Sequence, residues 1–287
     1  MSEAEANAAP QPSAAAALMA QRFRGYLPVV IDVESGGFHA ATDALLEVAA
    51  VLIDADADGV LRRGPTHHYH VQPFAGARLD PTSLSVTGID PHHPLRPAIP
   101  ERDALQRIFR EVRHAVRAHG CRRAILVGHN AAFDLAFLNA AVARADVKRN
   151  PFHPFSCFDT ATLAGAALGQ TVLAKALTVA GLEWDPGSAH NARYDAERSA
   201  EIFCLVCNRL RESFERARAR GRARLAQRGG GRCGGRGGAA RGSDYCAAPA
   251  SVMSFFSSPL LNISSAMSQP PISSPFTYSC GYVGQLE

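Results

Sequence analysis

Residues 27–34, with the sequence LPVVIDVE, form an apolar run that is interrupted by two carboxylates, Asp32 and Glu34. Apolar runs of this length are typical of a strand buried on both faces of a sheet. Because side chains alternate along a strand, Asp32 and Glu34 point to the same face. Two like charges are expensive to bury there unless they are paired or bound to cations. The segment therefore predicts a buried strand that carries a charged site.

The patterns that follow alternate between strands and helices. Residues 45–54 and 67–73 are predicted as further strands, and 124–128 as a short buried strand. The predicted helices are 101–119, 133–138, 159–168, 173–180 and 191–215. This order predicts an α/β fold: a single domain with a mixed sheet, antiparallel strands first, flanked by helices.

The two ends of the 287-residue chain differ in composition from its middle. Residues 1–20 are Ala-rich and predict a disordered lead, residues 21–217 the folded domain, and residues 218–287 a low-complexity, disordered tail. From residue 220 onward the chain has seven arginines and two acidic residues, a net charge of +5. The whole chain has a net charge of +4, so residues 1–219 have a net charge of −1. The tail is either a basic arm with weak affinity for nucleic acid or a dispensable extension, and the second interpretation is favoured.

The cellular location is predicted from the lack of a membrane span and of a secretory signal. It has no apolar run long enough to span a bilayer, and Glu3 and Glu5 stand where a secretory signal needs positive charge. Seven cysteines without regular spacing predict reduced thiols. We therefore expect a cytoplasmic protein without a membrane partner.

Two further acids stand next to later elements. Asp134 follows the predicted strand 124–128, and Asp195 lies near the start of the last predicted helix. Four carboxylates that meet at strand ends would repel one another, and Mg²⁺ or Mn²⁺, which favour oxygen ligands, would relieve this. His190 is predicted to lie in a loop before that helix, where a neutral imidazole suits a general base.

The ordered set of Asp-x-Glu, a later Asp and His-x4-Asp resembles the DEDD exonucleases of the His-x4-Asp branch, whose fold is ribonuclease H-like. Within that branch, FRGYLPVVIDVESGGFHAATDALLEVAA, AILVGHNAAFD and KRNPFHPFSCFDT look like the ribonuclease T family, and the resemblance covers residues 21–215. It implies a metal-dependent 3′→5′ exoribonuclease that releases nucleoside 5′-monophosphates. The implied substrates are 3′ ends of tRNA and rRNA precursors, and single-stranded DNA.

The resemblance also assigns roles to residues. Two Mg²⁺ ions, or Mn²⁺ in their place, would be held by Asp32, Glu34, Asp134 and Asp195, and His190 would take the proton of the attacking water. The phenylalanines that would stack on terminal bases are Phe38, Phe133 and Phe155. The implied enzyme is a homodimer in which a basic patch feeds nucleic acid to the partner's site: Arg22, Arg24, Arg117, Arg123, Lys148 and Arg149.

Two other functions are compatible with the sequence. One is a proofreading-type 3′→5′ DNA exonuclease, and another is a catalytically silent dimeric RNA-binding module on the same fold. Val86 replaces a stacking phenylalanine of the family and Thr82 a glutamate linked to its terminal-base preference, so that preference is not carried over. A group of histidines is interpreted as surface residues: His67, His68, His70, His92 and His93.

Overall fold

The structure of the protein is a computed structural model that describes residues 14–229. The parts of the predicted lead and tail at residues 1–13 and 230–287 lie outside the described residues.

A five-stranded sheet forms the centre of the fold, in the order β3-β2-β1-β4-β5. Strands β1, β2 and β3 are antiparallel to one another, whereas β4 and β5 run parallel to β1. The central strand is β1, as its apolar run predicts, and residues 27–31 are fully buried. The strands are β1 (Tyr26–Ser35), β2 (Leu45–Ala55), β3 (Leu61–His70), β4 (Arg123–Gly128) and β5 (Phe152–Asp159). The predicted α/β class and mixed sheet are confirmed.

Helices cover both faces of this sheet. The described helices are α1 (Ala14–Arg22), α2 (Pro81–Thr87), α3 (Glu101–Ala118), α4 (Ala132–Arg144), α5 (Thr160–Leu168), α6 (Leu173–Ala180), α7 (Ala192–Arg209) and α8 (Arg211–Gly229). Helices α3 and α4 pack on one face, α7 packs on the other, and α5 packs against α7. Within residues 14–229 no single helix is long and apolar enough to cross a membrane; the bent pair α5 and α6 passes by length and composition alone.

Two segments that the sequence predicts as disordered contain helices. Helix α1 falls in the predicted lead, where Ala is the strongest helix former and Met19 is buried in the core. Helix α8 reaches Gly229, beyond the predicted boundary at residue 217, and ion pairs one turn apart support it, including Arg211–Glu215. A composition rich in Arg and Ala is typical of helices as well as of low-complexity tails, so composition alone did not reveal this helix.

Two strands and one helix also differ from the predictions. Strand β3 begins at Leu61 rather than at His67 and contains Pro65, and β5, which contains Pro154, was not predicted. Both are edge strands, where proline is tolerated, and both have a register shift near the proline. Helix α2 was also missed, although Asp80 caps it through the N–H of Thr82.

Candidate active site

Three carboxylates converge beside the middle of the sheet. Asp32 and Glu34 lie two residues apart on β1, and Asp195 lies in the first turn of α7, which packs over that face. One oxygen from each of the three lies within 4.8 Å of the others. Glu34 is buried, and Asp32 and Asp195 are partly buried. Strand alternation and the α7 packing thus bring together residues that are more than 160 positions apart in sequence.

Asp134 is the fourth carboxylate, and it is positioned by the strand next to β1. It lies in the first turn of α4, directly after β4, which is the parallel neighbour of β1. The backbone N–H of Val33, between Asp32 and Glu34, donates a 3.0 Å hydrogen bond to Asp134 Oδ1. Gly128 allows this close approach, because a Cβ at that position would lie 3.0 Å from Asp134 Oδ2. Asp134 is therefore held against the same strand as the first two carboxylates.

The four carboxylates have raised pKa values in the absence of a cation. Burial, then the charges of Asp195 and Glu47, raise the pKa of Glu34 to about 8. Burial also raises the pKa of Asp134 to about 8 and that of Asp195 to about 6, against hydrogen bonds that lower them. The pKa of Asp32 is raised well above its ordinary value by burial and by the charge of Asp134. Such a group of acids holds protons until a cation replaces them.

The donor atoms fit a hard divalent cation. All four side chains offer oxygen, the ligand that Mg²⁺ and Mn²⁺ prefer. Among the described residues, the buried Oδ1 of Asp195 has no hydrogen-bond partner. An unpaired buried carboxylate oxygen is costly, and a bound cation would satisfy it. The site therefore fits the metal ions that the sequence predicts.

His190 lies in the loop between a single 3-10 turn, Pro186–Ser188, and the start of α7. Its backbone has a left-handed conformation with φ of 61°, and its backbone N–H donates a 3.1 Å hydrogen bond to Asp195 Oδ2. The loop is fixed further upstream, where the N–H of Asp185 donates to the hydroxyl of Tyr194 at 2.6 Å. The chain thus ties His190 to a carboxylate of the site.

The three predicted stacking residues differ in environment. Phe38 and Phe155 are 68% and 77% exposed, which is unusual for side chains of this size. Phe133 is partly buried, and its ring centroid lies 6.4 Å from that of Phe38 and 4.8 Å from that of Phe137. The structure thus pairs Phe38 with Phe133, whereas Phe155 contacts His153 on β5.

Of the six predicted basic residues, Arg22 is engaged within the protein. Its guanidinium donates to the backbone oxygen of Cys207 and lies over the rings of Phe23 and Phe214. Arg24 and Arg117 are exposed, and Arg123 donates to the backbone oxygen of Asn150.

Lys148 and Arg149 instead line a groove along α3. Lys148 pairs with Asp146, and the backbone oxygen of Arg149 accepts from Arg113. The other basic residues of this groove were not predicted: Arg102, Arg107, Arg110 and Arg113. Their helical spacing on the face of α3 opposite its apolar residues was the signal available in the sequence.

Two further acids support the site and were also not predicted. Asp159, at the end of β5, accepts a 2.8 Å hydrogen bond from the N–H of Asn130, whose φ is 65°. It thereby fixes the turn that leads to Asp134. Glu47 on β2 is paired directly with Glu34 across the sheet and is buried. An acid inside the apolar run LLEVAA was the sequence signal for Glu47.

The mixed sheet and the converging carboxylates support membership of the DEDD exonuclease superfamily. The model of the exonuclease family RNase_T matches residues 29–203, and the chain belongs to this family. Membership implies a dependence on divalent metal, and the acidic residues described above could hold it.

Solved structures share the fold. E. coli exonuclease I in complex with a dT13 oligonucleotide aligns with a TM-score of 0.51 and 20% identity, over 66% of this chain and 43% of that chain. The same enzyme with a dA16 oligonucleotide gives a TM-score of 0.51, 20% identity and coverages of 66% and 42%. The chain therefore spans less than half the length of these structures.

We expect Mg²⁺ to stabilise the protein more at pH 8 than at pH 6. Below their raised pKa values the carboxylates keep their protons, and Mg²⁺ must displace them. Apparent affinity should rise by up to about 10-fold per pH unit for each proton released. The measurement is the thermal unfolding midpoint with Mg²⁺ and with chelator at each pH. An equal Mg²⁺-induced shift at both pH values would contradict the expectation.

Proposed function

We propose that the chain is a metal-dependent 3′→5′ exoribonuclease that trims the 3′ ends of tRNA and other stable RNAs and also acts on single-stranded DNA. The observation that carries the proposal is the convergence of Asp32, Glu34 and Asp195, whose oxygens lie within 4.8 Å of one another, with His190 bonded to Asp195. A set of this chemistry suits hydrolysis of a phosphodiester.

Asp32, Glu34, Asp134 and Asp195 would hold two Mg²⁺ ions, for which Mn²⁺ can substitute. When bound, such ions supply positive charge where a phosphodiester is attacked and where its leaving oxygen departs. His190 accepts the proton of the attacking water as general base. The hydrogen bond from its backbone N–H to Asp195 Oδ2 holds the His190 backbone beside a carboxylate of the proposed metal site.

The choice of RNA rests on the resemblance of residues around the site to the ribonuclease T family. The segment KRNPFHPFSCFDT carries this likeness, and it contains the exposed Phe155. A DNA exonuclease is the second candidate, because exonuclease I structures with this fold contain dT13 and dA16 oligonucleotides. Against a silent RNA-binding module stands the presence of His190 and of all four carboxylates.

Degradation of 5′-labelled oligonucleotides tests the proposal. The substrates are a tRNA-like stem with extra 3′ nucleotides, single-stranded DNA and a duplex DNA with a 3′ mismatch, each with Mg²⁺ and with chelator. We expect stepwise shortening of the RNA and the single-stranded DNA from the 3′ end, with release of 5′-monophosphates. Preference for the mismatched duplex would favour the DNA exonuclease, and no Mg²⁺-dependent release from any substrate would refute a nuclease.

Phe38→Ala and Phe155→Ala should each raise KM for RNA and single-stranded DNA. Stacking of a base on an aromatic ring contributes about 1–3 kcal/mol, which corresponds to about 5- to 150-fold in affinity. Both rings are exposed and therefore available to a base. Leu95→Ala is the matched control, because Leu95 is an equally exposed apolar residue outside the proposed site. Unchanged KM values in both phenylalanine variants would refute the stacking role.

The proposal also includes a homodimer in which basic residues guide nucleic acid to the partner's site. Arg24, Arg117, Arg123, Lys148 and Arg149 would serve this role. Phosphate contacts by such residues add affinity for nucleic acid without regard to sequence. Arg22 also belongs to the proposed set, although its guanidinium donates to the backbone oxygen of Cys207 and lies over two aromatic rings.

A further inference from the structure

A second cluster of metal-ligand side chains lies on β2 and β3. It consists of Glu47, His68 and His70, and one potential ligand atom from each lies within 4.8 Å of the other two. His68 Nε2 is 3.1 Å from Glu47 Oε2, and His70 Nδ1 is 2.8 Å from Glu47 Oε1. The sequence pattern had placed these histidines on the surface, but only 17% of the His68 side chain and 30% of the His70 side chain are exposed.

The sheet register brings the three side chains together. Glu47 is directly opposite His70, and His68 is two residues away on the same face of β3. Thr66, on that face as well, bonds to Glu197 of α7, so the cluster lies on the α7 side of the sheet. The two imidazole rings are 4.9 Å apart and inclined at 72°, and one nitrogen of each lies close to a different oxygen of Glu47.

The contact between His70 and Glu47 is close and buried. His70 Nδ1 lies 2.8 Å from Glu47 Oε1, and among the described residues the strict hydrogen-bond geometry gives this nitrogen no partner. A cation bound by both atoms would satisfy the buried nitrogen.

The donor set differs from that of the carboxylate site. Two imidazole nitrogens and one carboxylate oxygen are typical ligands of Zn²⁺ and related transition ions, whereas Mg²⁺ prefers oxygen alone. The carboxylate site of Asp32, Glu34, Asp134 and Asp195 offers only oxygen. The two sites are adjacent on one face of the sheet, since Glu47 is the cross-strand partner of Glu34. They should therefore select different metals.

We propose that Glu47, His68 and His70 bind a divalent transition metal ion such as Zn²⁺, separately from the Mg²⁺ of the proposed nuclease site. The ion ties the edge strand β3 to β2. Three protein ligands leave a fourth position for water in a tetrahedral site. Because the proposal depends only on these three side chains, it stands whether or not the chain degrades RNA.

Cobalt binding tests this site in the full-length protein. After treatment with chelator, the protein is titrated with Co²⁺ in excess Mg²⁺, which competes for the oxygen-only site. Bound Co²⁺ is counted by equilibrium dialysis, its coordination is followed by visible absorption, and thermal unfolding is measured with and without it. We expect one Co²⁺ with tetrahedral absorption and a higher unfolding temperature.

Substitutions in the cluster test whether Co²⁺ binds there or elsewhere on the protein. His68→Ala combined with His70→Ala should weaken Co²⁺ binding by at least about 100-fold and remove the absorption. His70→Gln, which keeps a polar side chain of similar reach, should also weaken Co²⁺ binding and remove the absorption. This single variant provides the test if the double variant does not fold. The matched control is His67→Ala, because His67 alternates to the other face of β3, near Glu111 of α3. Unchanged Co²⁺ binding in His70→Gln, or none in the wild-type protein, would overturn the proposal.

Discussion

Asp134→Asn is expected to lower the rate of 3′-end hydrolysis by about 10³-fold or more while making the metal-free protein more stable. The loss follows because an amide cannot supply the negative charge that the cations of the site require. The gain follows because Asp134 is buried and has a pKa of about 8, so at neutral pH the native state must keep a proton that the unfolded chain releases. Asparagine has the shape of the protonated acid without this cost.

The raised pKa of Asp134 sets the sign of the stability change. Between about pH 4 and pH 8 the native state binds more protons at Asp134 than the unfolded state does, so this group lowers stability as the pH rises. Its removal should add about 1–3 kcal/mol to the free energy of unfolding at pH 7 with chelator present. The hydrogen bond from the Val33 N–H can persist, since asparagine Oδ1 remains an acceptor.

Chemical unfolding in chelator and turnover in Mg²⁺ are measured on the same preparation. Asp58→Asn is the matched control, because Asp58 lies exposed in the turn between β2 and β3 and should change neither quantity. An Asp134→Asn protein that retains activity would remove Asp134 from the site. A variant that is inactive but destabilised would show that the carboxylate contributes favourably to the metal-free fold.

His190→Asn is expected to reduce kcat by about 10²- to 10⁴-fold, the range for loss of a general base. Asparagine is the appropriate replacement because the backbone φ of His190 is 61°, a conformation that asparagine tolerates better than alanine. The backbone N–H that donates to Asp195 is kept. The change therefore removes the imidazole and leaves the loop in place.

The kcat of His190→Asn and its Mg²⁺ requirement are measured separately. The Mg²⁺ concentration that gives half-maximal activity should stay near the wild-type value, because His190 is not among the carboxylates of the site. His114→Asn provides the control, since His114 is an exposed histidine on α3. A wild-type kcat in His190→Asn would assign the proton transfer to another group, and a large rise in the Mg²⁺ requirement would assign His190 to metal binding.

The central part of the fold could be predicted from the sequence because its signals are local. The run 27–34 is typical of a buried strand, and its two acids then lie on one face by alternation alone. The pairing of Asp134 with this strand could be expected because β4 is short, apolar and followed at once by a helix.

What could not be predicted depends on packing between distant segments. Helix α1 is ordered through Met19 in the core and through Arg22 bonded to Cys207, contacts that a composition of alanines does not reveal. The role of Glu47 depends on the register of three strands, which places it between Glu34 and His70. An acid in an apolar run signals a site, but only the register shows which residues share it.

The prolines of the two edge strands have a consequence for association between copies of the chain. Pro65 in β3 and Pro154 in β5 lack the N–H that a strand needs to bind another strand, and each lies where the ladder with its neighbour is irregular. Sheet edges of this kind resist edge-to-edge growth and amyloid-like aggregation. Among the described strands, this favours contacts between copies through helices and loops over pairing of strand edges.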